Sequence, residues 1–179
     1  PYAGAMCGAR LVMPGPALDG KSVYQLLRDE QVTLALGVPT VWMMLLQHVD
    51  SERLNPADEL RLRRVVIGGS AAPRAMIERF ATTFGAFVVH AWGMTEMSPL
   101  GTVCNLLPKH AGYSLDQRLS LQEKQGRAVY GVELKIVDDA LASLPHDGVA
   151  AGHLLVRGPW IARCYYRDDD SAVLDDAGF

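Results

Sequence analysis

The stretch HAWGMTEMSP, His90 to Pro99, sets the hydroxyl of Thr95 beside the carboxylate of Glu96, just after Trp92 and Gly93. A hydroxyl next to a carboxylate offers the hard oxygen ligands that Mg²⁺ takes near phosphates. A glycine lets a flat ring or a phosphate reach the backbone where a Cβ would block it, and an indole can stack on a base. A second stretch, GGSAAP (Gly68 to Pro73), places two glycines before a proline suited to the first turn of a helix. The free N–H groups of that turn would point back toward the same edge. Together the two stretches describe a nucleotide–magnesium site. The alternative is that GG is a tight turn, Trp92 is core and Thr95–Glu96 opens a helix. The residues alone leave both readings open.

A rival phosphate site lies earlier. GPALDGKS, Gly15 to Ser22, matches the pattern G-x-x-x-x-G-K-[ST] of a P-loop. Its chemistry is poor, because Pro16 removes an N–H from a loop meant to donate them and Asp19 adds a negative charge. A turn followed by a capped helix with a solvated Lys21 is the preferred account. His48, His110, His146 and His153 lack metal-ligand spacing and read as surface side chains, whereas His90 falls at a strand end. RDDDS (Arg167 to Ser171) reads as a solvated loop or helix start. Neither Ser70 nor Ser98 sits in G-x-S-x-G, which argues against serine hydrolysis.

Such residues need a sheet edge to hold them. ARLVMPG reads as a buried strand ending at Pro14 and Gly15, and SVYQLLRDEQV as a helix with a Ser22–Gln25 capping box. TLALGVP is the next strand, and TVWMMLLQHV is a helix apolar on nearly every side and so expected to be buried. LRRVVIGG is a third strand. Pro73 then opens a helix through Phe84, with Met76, Ile77, Phe80 and Phe84 on one face and Gly85 as the stop. AFVVHAWG is a fourth strand. This grammar predicts an α/β fold, a parallel sheet with helices on both faces, over residues 1 to about 104. From residue 105 to 179 it changes. GVELKIVDD and GHLLVRGP alternate apolar and polar residues, with Asp147–Gly148 as a turn between them, predicting part of a smaller antiparallel β subdomain. Residues 105 to 125 show no firm pattern.

Composition narrows the class further. The 179 residues are 49% hydrophobic and 21% charged, with net charge −3 and no basic cluster, so no nucleic-acid or membrane surface is expected. No apolar run is long enough to span a membrane. Three scattered cysteines without a CxxC predict reduced thiols in a cytoplasmic protein.

HAWGMTEMSP resembles the aromatic-Gly-x-Thr-Glu signature of the acyl-adenylate-forming enzymes. VVIGGSAAP resembles their adenine-contacting strand and turn. GHLLVRGPWIARCYY is similar to the later block G-E-L-x-V-R-G-x-x-V-x-x-G-Y, and DDAGF to the opening of D-G-x-F-x-T-G-D. PYAGAMCGARLVMPGPALDG, LALGVPTVWMMLLQ and KQGRAVYGVELKIVDD resemble the medium- and long-chain fatty-acid–CoA ligases within that superfamily. The likeness covers nearly the whole chain and keeps the blocks in order.

The resemblance implies adenylation of a fatty carboxylate by ATP, then thioester formation with CoA. It assigns Mg²⁺ to Glu96, the α-phosphate to Thr95 and adenine stacking to Trp92. Gly69, Ser70, Ala71, His90, Ala91 and Gly93 would line the nucleotide pocket. Val38, Trp42 and Met43 would wall the acyl tunnel, and Met94 would face the acyl carboxylate. Partners are thereby fatty acid, ATP and CoA, with a homo-oligomer of the parent possible. The phosphate loop, the ribose-binding Asp and the lid with its catalytic Lys have no counterpart in the chain. The expectation is an internal fragment of the large N-terminal domain, inactive alone. A non-catalytic binding module is the remaining alternative. Two departures stand out: His153 in place of Glu in G-E-L, and Cys164 in place of Gly before Tyr165.

Overall fold

The computed structural model describes residues 2–167, 174, 175 and 177–179. Its contacts group the chain into two compact units, Pro1–His90 with Cys104–Lys124, and Ala91–Val103 with Gln125–Phe179. The chain crosses between them at His90–Ala91 and Val103–Cys104, inside strands, and again at Lys124–Gln125, so neither unit is one continuous segment.

β1 (Leu34–Gly37), β2 (Arg64–Ile67) and β3 (Phe87–Gly93) pair in parallel, with Leu34 opposite Arg64 and Arg64 opposite Phe87. β4 (Leu100–Cys104) and β5 (Arg127–Ala128) pair antiparallel and complete the order β1-β2-β3-β4-β5. The predicted α/β class holds: a mostly parallel sheet flanked by helices, and a small antiparallel sheet after it.

The helices are α1 (Tyr2–Met6), α2 (Gly20–Asp29), α3 (Pro39–Glu52), α4 (Pro56–Glu59), α5 (Arg74–Thr83) and α6 (Leu115–Gln122). α5 forms as its pattern predicts. Met76, Ile77, Phe80 and Phe84 are all buried, and Gly85 (φ 63°) ends the segment. They join Tyr24, Leu27, Leu45, Val65, Ile67 and Val88 in one apolar core. Each such burial contributes about 1.5–3 kcal/mol against exposure.

Four expectations change. Residues 9–14 form no strand; Leu11 and Met13 stay exposed, because an apolar run without a neighbouring edge to pair with gains nothing from extension. α2 is capped by Asp19, not by a Ser22–Gln25 box: the Asp19 carboxylate accepts the Ser22 N–H at 3.0 Å. α3 is buried on one side only, with Met43 and Met44 exposed. The region from 105 to 125 is ordered. Ser114 and Gln117 form a reciprocal capping box that starts α6. Arg74 of α5 reaches across to Asp116 (2.6 Å) and Glu123 (2.8 Å) of that helix.

In the second unit, β6 (Glu133–Val137) and β7 (His153–Arg157) make the expected antiparallel pair. Asp147 accepts the N–H groups of Val149 and Ala150 in the turn between them. Lys135 of β6 binds Asp175 at 2.8 Å, and Asp175 also accepts the N–H groups of Ala177 and Phe179. Arg157 lies 4.4 Å from the Phe179 ring centre. The last turn is thus tied to the β6–β7 ribbon. Among the described residues no helix is long and apolar enough to cross a membrane.

Candidate functional site

Both glycine-bearing stretches fall after the carboxyl ends of strands, where open α/β sheets bind their ligands. In the first unit the turn after β2 leaves Ser70 and Ala71 exposed, and Gly69 takes φ 83°, a conformation that favours glycine. Behind this turn stands His90, 1% exposed and in the middle of β3 rather than at the strand end expected from sequence, because the strand runs on to Gly93. Its Nε2 accepts the Ala72 N–H at 3.3 Å, and its Nδ1 lies 3.3 Å from the Gln122 carbonyl. Those partners fix the tautomer with the proton on Nδ1. Gln122 is held in turn by donating to the Val88 carbonyl at 2.7 Å. Both ring nitrogens are engaged by protein, so His90 supports the turn from behind. Gln122 was not found from sequence, because nothing in a polar segment marks which glutamine will be buried.

In the second unit β3 ends at Gly93, and Thr95–Met97 make a 3₁₀ turn. A Cβ on Gly93 would lie 1.7 Å from the Pro99 carbonyl oxygen, so the returning chain itself requires this glycine. Trp92 is half-buried against β4: a Cβ at Gly101 would sit 3.1 Å from its ring. Met97 is buried, while Met94 and Thr95 are exposed and Glu96 is half-exposed. The bland expectation of a helix opening here is met only as one short turn.

Glu96 is held from the loop that follows β7. Its backbone carbonyl accepts the Ala162 N–H at 2.7 Å, and its Oε1 accepts a hydrogen bond from the Tyr165 hydroxyl. That hydroxyl holds the Glu96 carboxyl below its ordinary pKa. No Arg or Lys is ion-paired with Glu96 among the described residues. Nor do three or more His, Cys, Asp or Glu side chains cluster as a ready cage among them. One carboxylate beside one hydroxyl suits Mg²⁺ carried in by phosphates, which keeps most of its shell as phosphate oxygen and water. Tyr165 lies 69 residues from Glu96, and no spacing rule links them.

The proposed acyl-tunnel residues divide. Val38 and Met43 are 44% and 47% exposed, whereas Trp42 is 2% exposed and packs edge-on to Phe80, with ring centres 5.7 Å apart. His110 departs from its expected surface place: it is buried, with Nδ1 accepting the Leu107 N–H. His153 is exposed beside Asp139. Cys7 and Cys164 are exposed and Cys104 is buried; none forms a disulfide. Of RDDDS, Asp168 to Ser171 lie outside the described residues.

The P-loop candidate fails on geometry. Among the described residues no strand precedes it, and the Asp19 carboxylate occupies the N-terminus of α2, where a phosphate would need the N–H groups. Hydrogen bonds from Ser22 hold that carboxyl below its ordinary pKa. A Cβ on Gly20 would meet the Met44 carbonyl oxygen at 2.1 Å, so this glycine serves helix packing.

Comparison with known proteins gives one consistent picture. Residues 1–166 match the family model described as AMP-binding enzyme. The medium-chain-fatty-acid–CoA ligase of Ectopseudomonas oleovorans is 49% identical over 179 residues, covering all of this chain and 32% of that protein. The 3-methylmercaptopropionyl-CoA ligase of Ruegeria lacuscaerulensis is 48% identical over 179 residues, covering all of this chain and 33% of that protein. The chain therefore spans about a third of the length of the curated relatives it matches. Among solved structures, the N-terminal domain of FACL13 from Mycobacterium tuberculosis aligns with 98% of this chain and 41% of its own, at TM-score 0.75 and 23% identity. That similarity concerns the fold.

Proposed function

Since the chain belongs to the family of AMP-binding enzymes, we propose that it is an internal piece of an AMP-forming fatty acid–CoA ligase. The observation that carries this reading is the Thr95–Glu96 pair on a tight turn at the end of β3, with one Glu96 oxygen held by Tyr165. A relative 49% identical along the whole chain supports the acyl substrate class.

In this account a fatty carboxylate attacks the α-phosphorus of ATP, forming acyl-AMP and releasing pyrophosphate. The CoA thiolate then attacks the acyl carbon and AMP leaves. Magnesium, when bound, offsets phosphate charge. Glu96 holds it, and Thr95 donates to the α-phosphate. Trp92 stacks on adenine, while Gly69, Ser70, Ala71, Ala91 and Gly93 give the nucleotide backbone to lie against. His90 keeps the Gly69–Ala71 turn in shape. Val38, Met43 and Met94 meet the acyl group, with Trp42 supporting them from the core. The chain spans about a third of the length of its curated relatives, and in this reading it is inactive alone. The parent works in the cytoplasm on small molecules and does not bind nucleic acid.

The test uses the full-length parent with ATP, Mg²⁺, CoA and a ladder of fatty acids, numbered as here. Short thioether acids belong in the ladder because of the Ruegeria relative's name. AMP and acyl-CoA are followed by mass spectrometry. Glu96→Ala is expected to lower thioester formation by about 10²–10³-fold, and Lys21→Ala to leave it unchanged. ADP and phosphate in place of AMP, with Lys21 essential, would overturn the reading.

A further inference from the structure

We infer that Tyr165 is a positioning residue, whose hydroxyl fixes the Glu96 carboxylate in the orientation that receives the divalent cation. The inference rests on the reading of Glu96 as the metal-holding group. The loop from Gly158 to Tyr166 is fastened to its own unit at three points. Trp160 Nε1 donates to the Leu100 carbonyl at 3.2 Å, Ala162 N–H donates to the Glu96 carbonyl at 2.7 Å, and the Tyr165 hydroxyl donates to Glu96 Oε1. Glu96 is therefore gripped at its main chain and at one carboxylate oxygen by the same loop. A glutamate on a half-exposed turn would otherwise spread over many rotamers.

The chemistry of the grip matters. An Arg or Lys here would neutralise the charge a cation needs, and none is ion-paired with Glu96 among the described residues. A phenol donates one hydrogen bond and leaves the carboxylate its charge. The hydroxyl engages Oε1, so the grip is made on one oxygen of the carboxylate and the other oxygen is on the side offered to the metal. Groups that orient a metal ligand in this way typically carry 10–100-fold in metal affinity.

The probe is Mn²⁺ binding to the full-length parent in the presence of saturating α,β-methylene-ATP, read by the loss of the free-ion electron paramagnetic resonance signal. Tyr165→Phe keeps the ring and removes the hydroxyl; Glu96→Gln tests the underlying reading. Trp160→Phe loosens the same loop while leaving the Tyr165 hydroxyl in place. Melting curves without metal check folding. The expected result is about a 10-fold weaker Mn²⁺ affinity for Tyr165→Phe, at an unchanged melting temperature. Glu96→Gln should lose at least as much, and Trp160→Phe should bind as wild type. Loss in Glu96→Gln with none, or a gain, in Tyr165→Phe overturns the inference and leaves the metal reading standing. Equal loss in Tyr165→Phe and Trp160→Phe assigns the effect to the loop and also overturns it. No loss in Glu96→Gln removes the metal reading itself, and the inference with it.

Discussion

At the scale of single residues, the site depends on side chains whose own hydrogen bonds are already committed. His90 is the clearest case, with one ring nitrogen on the Ala72 N–H and the other on the Gln122 carbonyl. Replacing it with leucine leaves two buried backbone groups without partners, each costing about 1–3 kcal/mol. Denaturant unfolding of His90→Leu should show a loss of about 2–6 kcal/mol. A loss under about 0.5 kcal/mol, the range of neutral surface changes, would mean that the ring only fills space. Sequence reading singled out His90 by an expected place at a strand end, although the residue falls in the middle of β3. It could not find Gln122 or Tyr165, because each acts through a contact with a distant segment. Trp42 was less legible: an aromatic on an apolar helix looks the same whether it walls a ligand or packs, as it does here, on Phe80.

At the scale of elements, local signals were sound wherever a segment also had a partner to bury against. α5 follows its apolar spacing because Met76, Ile77 and Phe80 all meet the core. Residues 9–14 carry an equally apolar run and form nothing, since strand formation needs a neighbour. α6 was legible in principle: Ser114 and Gln117 spell a capping box, but a weak apolar period hid it. The last turn makes a test at this scale. Lys135 and the N–H groups of Phe179 and Ala177 hold the Asp175 carboxyl down from its ordinary 3.8 to about 2. A depressed folded pKa means that the ionised group stabilises the turn, fully above the ordinary value. That contribution is lost as pH falls from about 4 toward 2. Amide exchange at Ala177 and Phe179 should therefore lose protection over that window in the wild type, and Asp175→Asn should remove the dependence. Equal slopes in both proteins would show that the carboxylate does not hold the turn.

At the scale of the molecule, the chain is about a third of the length of its curated relatives and divides into two compact units. Fold class was readable because parallel and antiparallel strands leave different hydropathy periods. The two units were less so, since the chain passes between them inside β3 and β4, where no change of composition marks the crossing. Fatty acid and CoA were suggested only by whole-chain resemblance, whereas the residues themselves raised a nucleotide–magnesium site as one of two open readings.

In the reading we propose, the parent activates a carboxylate through an acyl-adenylate. In that reaction a carboxylate oxygen becomes the bridge to the α-phosphorus, and thiolate attack breaks the acyl carbon–oxygen bond. The most direct measurement supplies fatty acid labelled with ¹⁸O in its carboxylate to the full-length protein with ATP, Mg²⁺ and CoA. One labelled oxygen should appear in AMP and none in pyrophosphate. Label in inorganic phosphate, with ADP as the nucleotide product, would mean an acyl-phosphate route and would contradict the account.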